Sequence, residues 1–202
     1  MTMEPKRQPL LGSCHCGNTR YIVWMSIPNV YNESHPPGPN NQRFARCNCT
    51  TCHKMSPFHY KAADITQDFV LLSPLDPATQ LGDYTHGDKE IHFYFCRTCG
   101  VRCFSHAGIG ETVDVDLSDI DLPGFSQEGP STRVWRTTSQ STHPEYDAFL
   151  SINAHTINTD QPIFDMRVLT EKKQVRYLDC LPEMLEDWKP VRWDRPYKGG
   201  SY

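Results

Sequence analysis

Ile91 to Gly100 reads I-H-F-Y-F-C-R-T-C-G, a run of aromatic residues that ends on a C-x-x-C pair and a glycine. The run predicts a strand over residues 91–95. A C-x-x-C-G knuckle at a strand end presents two thiolates to one metal ion. Its glycine takes a backbone conformation that side chains resist, and amides in the turn can point at the sulfurs. Cys14-His15-Cys16-Gly17 is a tighter knuckle of the same kind and offers two more thiolates. The two pairs, Cys14/Cys16 and Cys96/Cys99, make one closed tetrahedral site. Such a site contributes folding free energy and tethers the N-terminal region to the middle of the chain.

A third cluster, Cys47-Asn48-Cys49-Thr50-Thr51-Cys52, differs in kind. Three thiolates in one compact turn can hold zinc without help from another segment. Three protein ligands and a free fourth position form the pattern of a catalytic zinc. The alternative is a second structural site completed by Cys103, Cys180 or a nearby histidine, and spacing alone does not separate the two. A disulfide framework predicts an even cysteine count and a secretory leader. This chain has nine cysteines, and Met1–Leu11 (MTMEPKRQPLL) has no apolar run. The expectation is reduced cysteines and two zinc ions per chain. The N-x-S/T matches at Asn32 and Asn48 are read as chance, since a glycan on Asn48 would collide with metal.

Outward from the clusters, strands are expected over Asn18–Met25, Arg43–Arg46, Asp68–Ser73, Thr112–Leu117, Phe149–Ile152 and Gln174–Tyr177. Two stretches read as long loops: residues 27–42, with Pro28, Pro36, Pro37, Gly38 and Pro39, and residues 118–146, rich in Ser, Thr, Pro, Gly and charge. A weak helical turn is expected over Glu183–Trp188. No segment carries a long 3.6-residue apolar period. With 202 residues and 38% hydrophobic content, the expectation is a single mainly β zinc-binding domain over 1–202, with a core of about 10–180 and a tail over 190–202. A net charge of −4 gives no footprint for nucleic acid, and no apolar stretch is long enough for a membrane helix. The expected compartment is the cytoplasm, with the nucleus left open.

At three places, G-S-C-H-C-G (Gly12–Gly17), C-N-C-T-T-C-H-K (Cys47–Lys54) and F-C-R-T-C-G (Phe95–Gly100), the chain resembles the glutathione-dependent formaldehyde-activating enzyme family, which includes centromere protein V. The likeness continues more loosely through Phe149–Asn158 and Val175–Asp179. It implies a small β-tent fold, structural zinc on Cys14, Cys16, Cys96 and Cys99, and catalytic zinc on Cys47, Cys49 and Cys52. It also implies carbon–sulfur lyase chemistry in which a thiol such as glutathione joins an aldehyde such as formaldehyde. The expansions at 27–42 and 118–146 depart from compact members, which leaves room for a larger substrate in specialised metabolism. A non-catalytic binding module is the alternative of a different class, and a homodimer is left open.

A proton must reach the oxygen of the adduct, and His53 and Lys54, directly after Cys52, are the candidate donors. His15 is expected to face solvent. His59 and His92 are expected to be packed or surface residues, and Cys103 and Cys180 small buried apolar groups. Arg20, Arg43 and Arg46 are candidates for holding a substrate carboxylate.

Overall fold

The computed structural model describes residues 4–181 and 189–202, which form two sheets facing each other across one core. The helical turn expected over Glu183–Trp188 lies outside the described residues. The first sheet has five antiparallel strands in the order β1 (Lys6–Ser13), β2 (Arg20–Ile27), β5 (Phe69–Ser73), β10 (Thr132–Thr137) and β9 (Gly110–Val115). The second has seven strands in the order β12 (Val175–Leu178), β3 (Arg43–Cys47), β4 (His59–Lys61), β11 (Phe149–Asn153), β8 (Arg102–Ala107), β7 (His92–Phe95) and β6 (Gly82–Tyr84). Three short helices intervene: α1 (Thr50–Met55), α2 (Pro77–Gln80) and α3 (Met166–Glu171). Among the described residues no helix is long and apolar enough to cross a membrane.

Register explains the core. Phe44, Tyr60, Ile152, Phe104 and Tyr94 are cross-strand partners in one row over five strands of the larger sheet, and every one is buried. They pack with Leu10, Tyr21, Val23, Phe69, Leu71 and Trp135 of the smaller sheet. Because strand side chains alternate, the neighbouring rows point the other way. Ala45, His59 and Asn153 form one of these, and Ser151, Ser105 and Phe93 the other. That outward face is the polar floor on which the middle cysteine cluster stands.

The smaller sheet is covered on both faces. Leu11, Ile22, Trp24, Val70 and Val134 make a second cluster with Leu117 and Leu122. Double burial is why Tyr21–Met25 reads as a continuous apolar run without alternation. It also corrects the reading of residues 118–146 as one long loop. Part of that stretch covers the sheet through Leu122, and Thr132–Thr137 is the internal strand β10, with Val134 fully buried. The strand is polar in sequence because its arginines pair with the neighbouring β9, Arg133 with Asp114 at 2.8 Å and Arg136 with Glu111 at 2.9 Å. Residues 28–42 do run without a strand, as expected, apart from one isolated bridge between Asn32 and His35. The C-terminal residues are docked: Trp193 and Tyr197 are buried, and the backbone of Arg192 exchanges two hydrogen bonds with Tyr177 on the edge strand β12.

Candidate metal centres

The first knuckle is the turn between β1 and β2, and the second is the turn between β7 and β8. Both glycines that close these turns are left-handed, Gly17 at φ 78° and Gly100 at φ 75°. In the first turn the Gly17 amide donates to the Cys14 carbonyl at 3.1 Å, and in the second the Gly100 amide donates to the Cys96 carbonyl at 2.8 Å. The four thiols of Cys14, Cys16, Cys96 and Cys99 come together with all ligand atoms within 4.8 Å of one another. Sulfurs at the corners of a tetrahedron with zinc–sulfur bonds of about 2.3 Å lie about 3.8 Å apart. The observed separations of 3.6 Å (Cys14–Cys16) and 3.5 Å (Cys16–Cys96) fit a shared ion and are far too long for a disulfide. The thiol of Cys99 titrates at about 6: burial pushes it up, but amides of Val101 and Cys16 and the neighbouring thiols outweigh that. Cys103, buried beside this cluster, is held well above the ordinary thiol range by burial and by the nearby sulfurs. It therefore packs as a small apolar residue and does not reach the middle cluster.

The middle cluster is made locally. Cys47 is the last residue of β3, Cys49 caps α1, and Cys52 lies in its first turn, bringing three thiols within 4.8 Å. The amide of Cys49 donates to the Cys47 sulfur and that of Cys52 to the Cys49 sulfur, both at 3.4 Å. Such amide donors favour the thiolate form and orient it toward a cation. This donor set fits a soft divalent ion such as zinc.

Two further groups flank these thiols. His59, on the outward row of β4, places Nε2 3.2 Å from the Cys52 sulfur, while its Nδ1 is 2.7 Å from Ser151 Oγ. A ring held at one nitrogen by a hydroxyl, with the other aimed at a metal-binding sulfur, is the outer support that metal sites commonly use. Burial lowers its pKa to about 4, so the ring is neutral at physiological pH. Cys180 lies beside Cys47, within thiol hydrogen-bonding reach. It is held there by Asn48, which accepts the Cys180 amide at 2.6 Å and donates to Asp179 at 2.7 Å and to the Lys198 carbonyl at 3.1 Å. Sequence reasoning set His59 aside. Its signal arises from strand pairing, which brings His59 to Ser151 across 92 positions.

The two sequence candidates after Cys52 follow it on α1. His53 is exposed and donates from Nδ1 to the Gly199 carbonyl at 2.6 Å, tying α1 to the C-terminal segment. Lys54 is exposed, and neither residue lines the nearby cleft that reaches the cluster through His59, nor do the three cysteines themselves. That cleft is shallow, about 290 Å³ counted to its mouth, and is lined by His59, Ser151, Ser105, Met55, Phe93 and Arg102 among others. Arg20 and Arg43 are bound to loop carbonyls, Arg46 stacks on Phe58, and none of the three lines it. His15 is exposed and His92 pairs with Asp83 at 2.7 Å.

No known family model matches the chain. Among solved structures, the crystal structure of a Rhodobacter sphaeroides protein is similar over 76% of this chain and 92% of that one, at 18% identity and a TM-score of 0.39. The functional reading therefore rests on the side chains themselves.

Proposed function

We propose that the protein is a zinc-dependent carbon–sulfur lyase or thiol–carbonyl adduct-forming enzyme, acting at Cys47, Cys49 and Cys52 on glutathione or another thiol. One observation carries this reading: three thiols gather alone at a strand–helix junction, with His59 of the neighbouring cleft 3.2 Å from the Cys52 sulfur, while the other four close on one another at the turns. Zinc held by the three would supply a position that binds a thiol as thiolate or polarises a carbonyl oxygen. The amides of Cys49 and Cys52 hold the sulfurs in place, and Ser151 fixes the His59 ring beside Cys52. In the adduct-forming direction a sulfur–carbon bond forms and the thiol proton passes to the carbonyl oxygen; the lyase direction reverses both.

The test is exchange spectroscopy of glutathione with formaldehyde in the presence of zinc-loaded protein. Faster formation and breakdown of S-hydroxymethylglutathione, abolished in Cys49→Ala with the fold intact, is the expected result. Unchanged exchange with that pair and with other thiol–aldehyde pairs would sink the reading.

A second reading is favoured by Cys180. Its sulfur lies beside Cys47 but outside the three-thiol group, so a shift of Cys180 would let four protein thiolates wrap a middle zinc, as in a binding module without turnover. Cobalt substitution separates the two, because sulfur-to-cobalt absorption scales with the number of bound thiolates. Loss of one thiolate's share in Cys180→Ala, with no effect of added thiol in the parent protein, would favour the binding module.

A further inference from the structure

Arg102 is out of place by strand parity. Phe104 faces the shared core, and in an unbroken ladder Arg102, two residues earlier, would face it too. The register breaks between β7 and β8: Tyr94 pairs with Phe104, but Phe95 pairs with Arg102, leaving Cys103 as the extra residue of a bulge. Phe95 has the parity of the outward-facing Phe93, and Arg102 goes with it, its guanidinium 5.4 Å from the Phe95 ring centre. The bulge thus moves a cation from the core side to the cleft that also holds His59 and Ser151.

That cation has no internal counter-charge. Its Nε is buried and makes no hydrogen bond. Among the described residues no carboxylate lies within ion-pair distance of it, whereas Arg7, Arg133, Arg136 and Arg167 each have one. None of the residues lining the cleft is acidic. A buried donor without an acceptor is unfavourable unless a ligand completes it. The planar fork of a guanidinium, stacked on a ring, matches the two oxygens of a carboxylate.

We propose that Arg102 anchors a carboxylate of the substrate, so that the cleft, which meets the Cys47, Cys49 and Cys52 cluster at His59, takes a carboxylate-bearing thiol or thiol adduct. This names the substrate class of the site proposed above and rests on that reading.

The experiment uses the full chain loaded with cobalt and two thiols of equal length, 3-mercaptopropionate and the neutral 3-mercapto-1-propanol, with binding read from cobalt–thiolate absorption. The acid is expected to bind roughly ten- to hundredfold more tightly, the range of a charge-assisted hydrogen bond. In Arg102→Met, which keeps an apolar stem on Phe95, both thiols should bind with the affinity the parent shows for the alcohol. Equal affinities in the parent protein, or a preference that survives in Arg102→Met, overturn the proposal. Should that variant fail to retain its metals, the comparison in the parent decides. Propionate, which has no thiol, provides the second arm through the nitrogen–proton resonance of Arg102 Nε. If propionate shifts it while neither thiol reaches cobalt, the anchor stands and the thiol chemistry falls. If both thiols bind without preference, the anchor falls and the chemistry stands. If nothing binds and the resonance stays fixed, both fall.

Discussion

The two cysteine clusters set the same atoms in opposite arrangements along the chain. Cys14 and Cys16 belong to a hairpin of the smaller sheet, and Cys96 and Cys99 to a hairpin of the larger one. An ion between them fastens one sheet to the other and closes a loop of some eighty residues, a constraint the unfolded chain lacks. Cys47, Cys49 and Cys52 span six positions at one strand–helix junction, so an ion there closes almost nothing. The difference teaches that ligand separation along the chain, more than ligand type, decides how far a metal can constrain the unfolded chain. What the middle cluster lacks in reach it receives from side chains that approach it: His59 beside Cys52, Cys180 beside Cys47, and the C-terminal segment across Asn48 and His53.

The largest effect should come from cutting each cluster in turn. Cys96→Ala removes a cross-sheet ligand, and structural zinc sites contribute on the order of 10 kcal/mol of apparent folding free energy. The variant is expected to lose its β-sheet circular dichroism, or to accumulate only as insoluble protein. Cys49→Ala should remain folded and hold one zinc instead of two, by metal analysis of purified protein. If both variants unfold, the contrast between the clusters breaks and the middle site is structural as well.

All seven cysteines of this contrast are legible from spacing, because a knuckle is a local object: two sulfurs, a turn and a glycine. So are the strands whose side chains are mainly apolar, such as Tyr21–Met25 and Phe69–Leu71. Strands carried by tertiary pairing are not. β8 reads R-C-F-S-H-A, and its buried His106 is accommodated by a 2.8 Å hydrogen bond to Thr137 on the distant β10. β1 contains Pro9 and two cations, which an edge strand tolerates. The same limit applies at the site, since His59 and Cys180 reach the cluster, and Ser151 and Arg102 the adjoining cleft, only through register, a bulge and a parallel edge strand.

Asn48 tests whether the ties around the middle cluster matter energetically. It is buried, and Asn48→Ala removes two donated bonds and the acceptor of the Cys180 amide. The expected loss is about 2–4 kcal/mol, since a buried group left without a partner costs about 1–3 kcal/mol. Urea unfolding of zinc-loaded protein measures it, and proteolysis should release the C-terminal segment sooner. A loss below the error of the measurement would mean that the segment is held by its other ties, the burial of Trp193 and Tyr197 and the bonds of Arg192 and Gly199.

A smaller and more selective effect is expected from Ser151→Ala. The His59 ring loses the hydroxyl that orients it, and removal of such outer partners typically weakens metal binding by about 10–100-fold. Competition with a graded chelator should show the middle metal leaving earlier and the four-cysteine metal unchanged. Equal shifts at both sites would mean that Ser151 acts on the whole sheet and not on the ring.

His53→Ala should have the smallest effect, and it separates two meanings of the same residue. By position after Cys52 it is a candidate proton donor, yet its Nδ1 is engaged with the Gly199 carbonyl, the ring is exposed, and the cleft lies on His59. An exposed hydrogen bond of this kind contributes below about 1 kcal/mol, so stability should fall by that amount or less and both zincs should stay. If adduct exchange also persists, His53 is a tie to the C-terminal segment and the proton takes another route. If exchange disappears while metals and stability remain, the Gly199 contact must open during reaction, and the C-terminal segment becomes a moving part of the middle site that has no equivalent at the closed one.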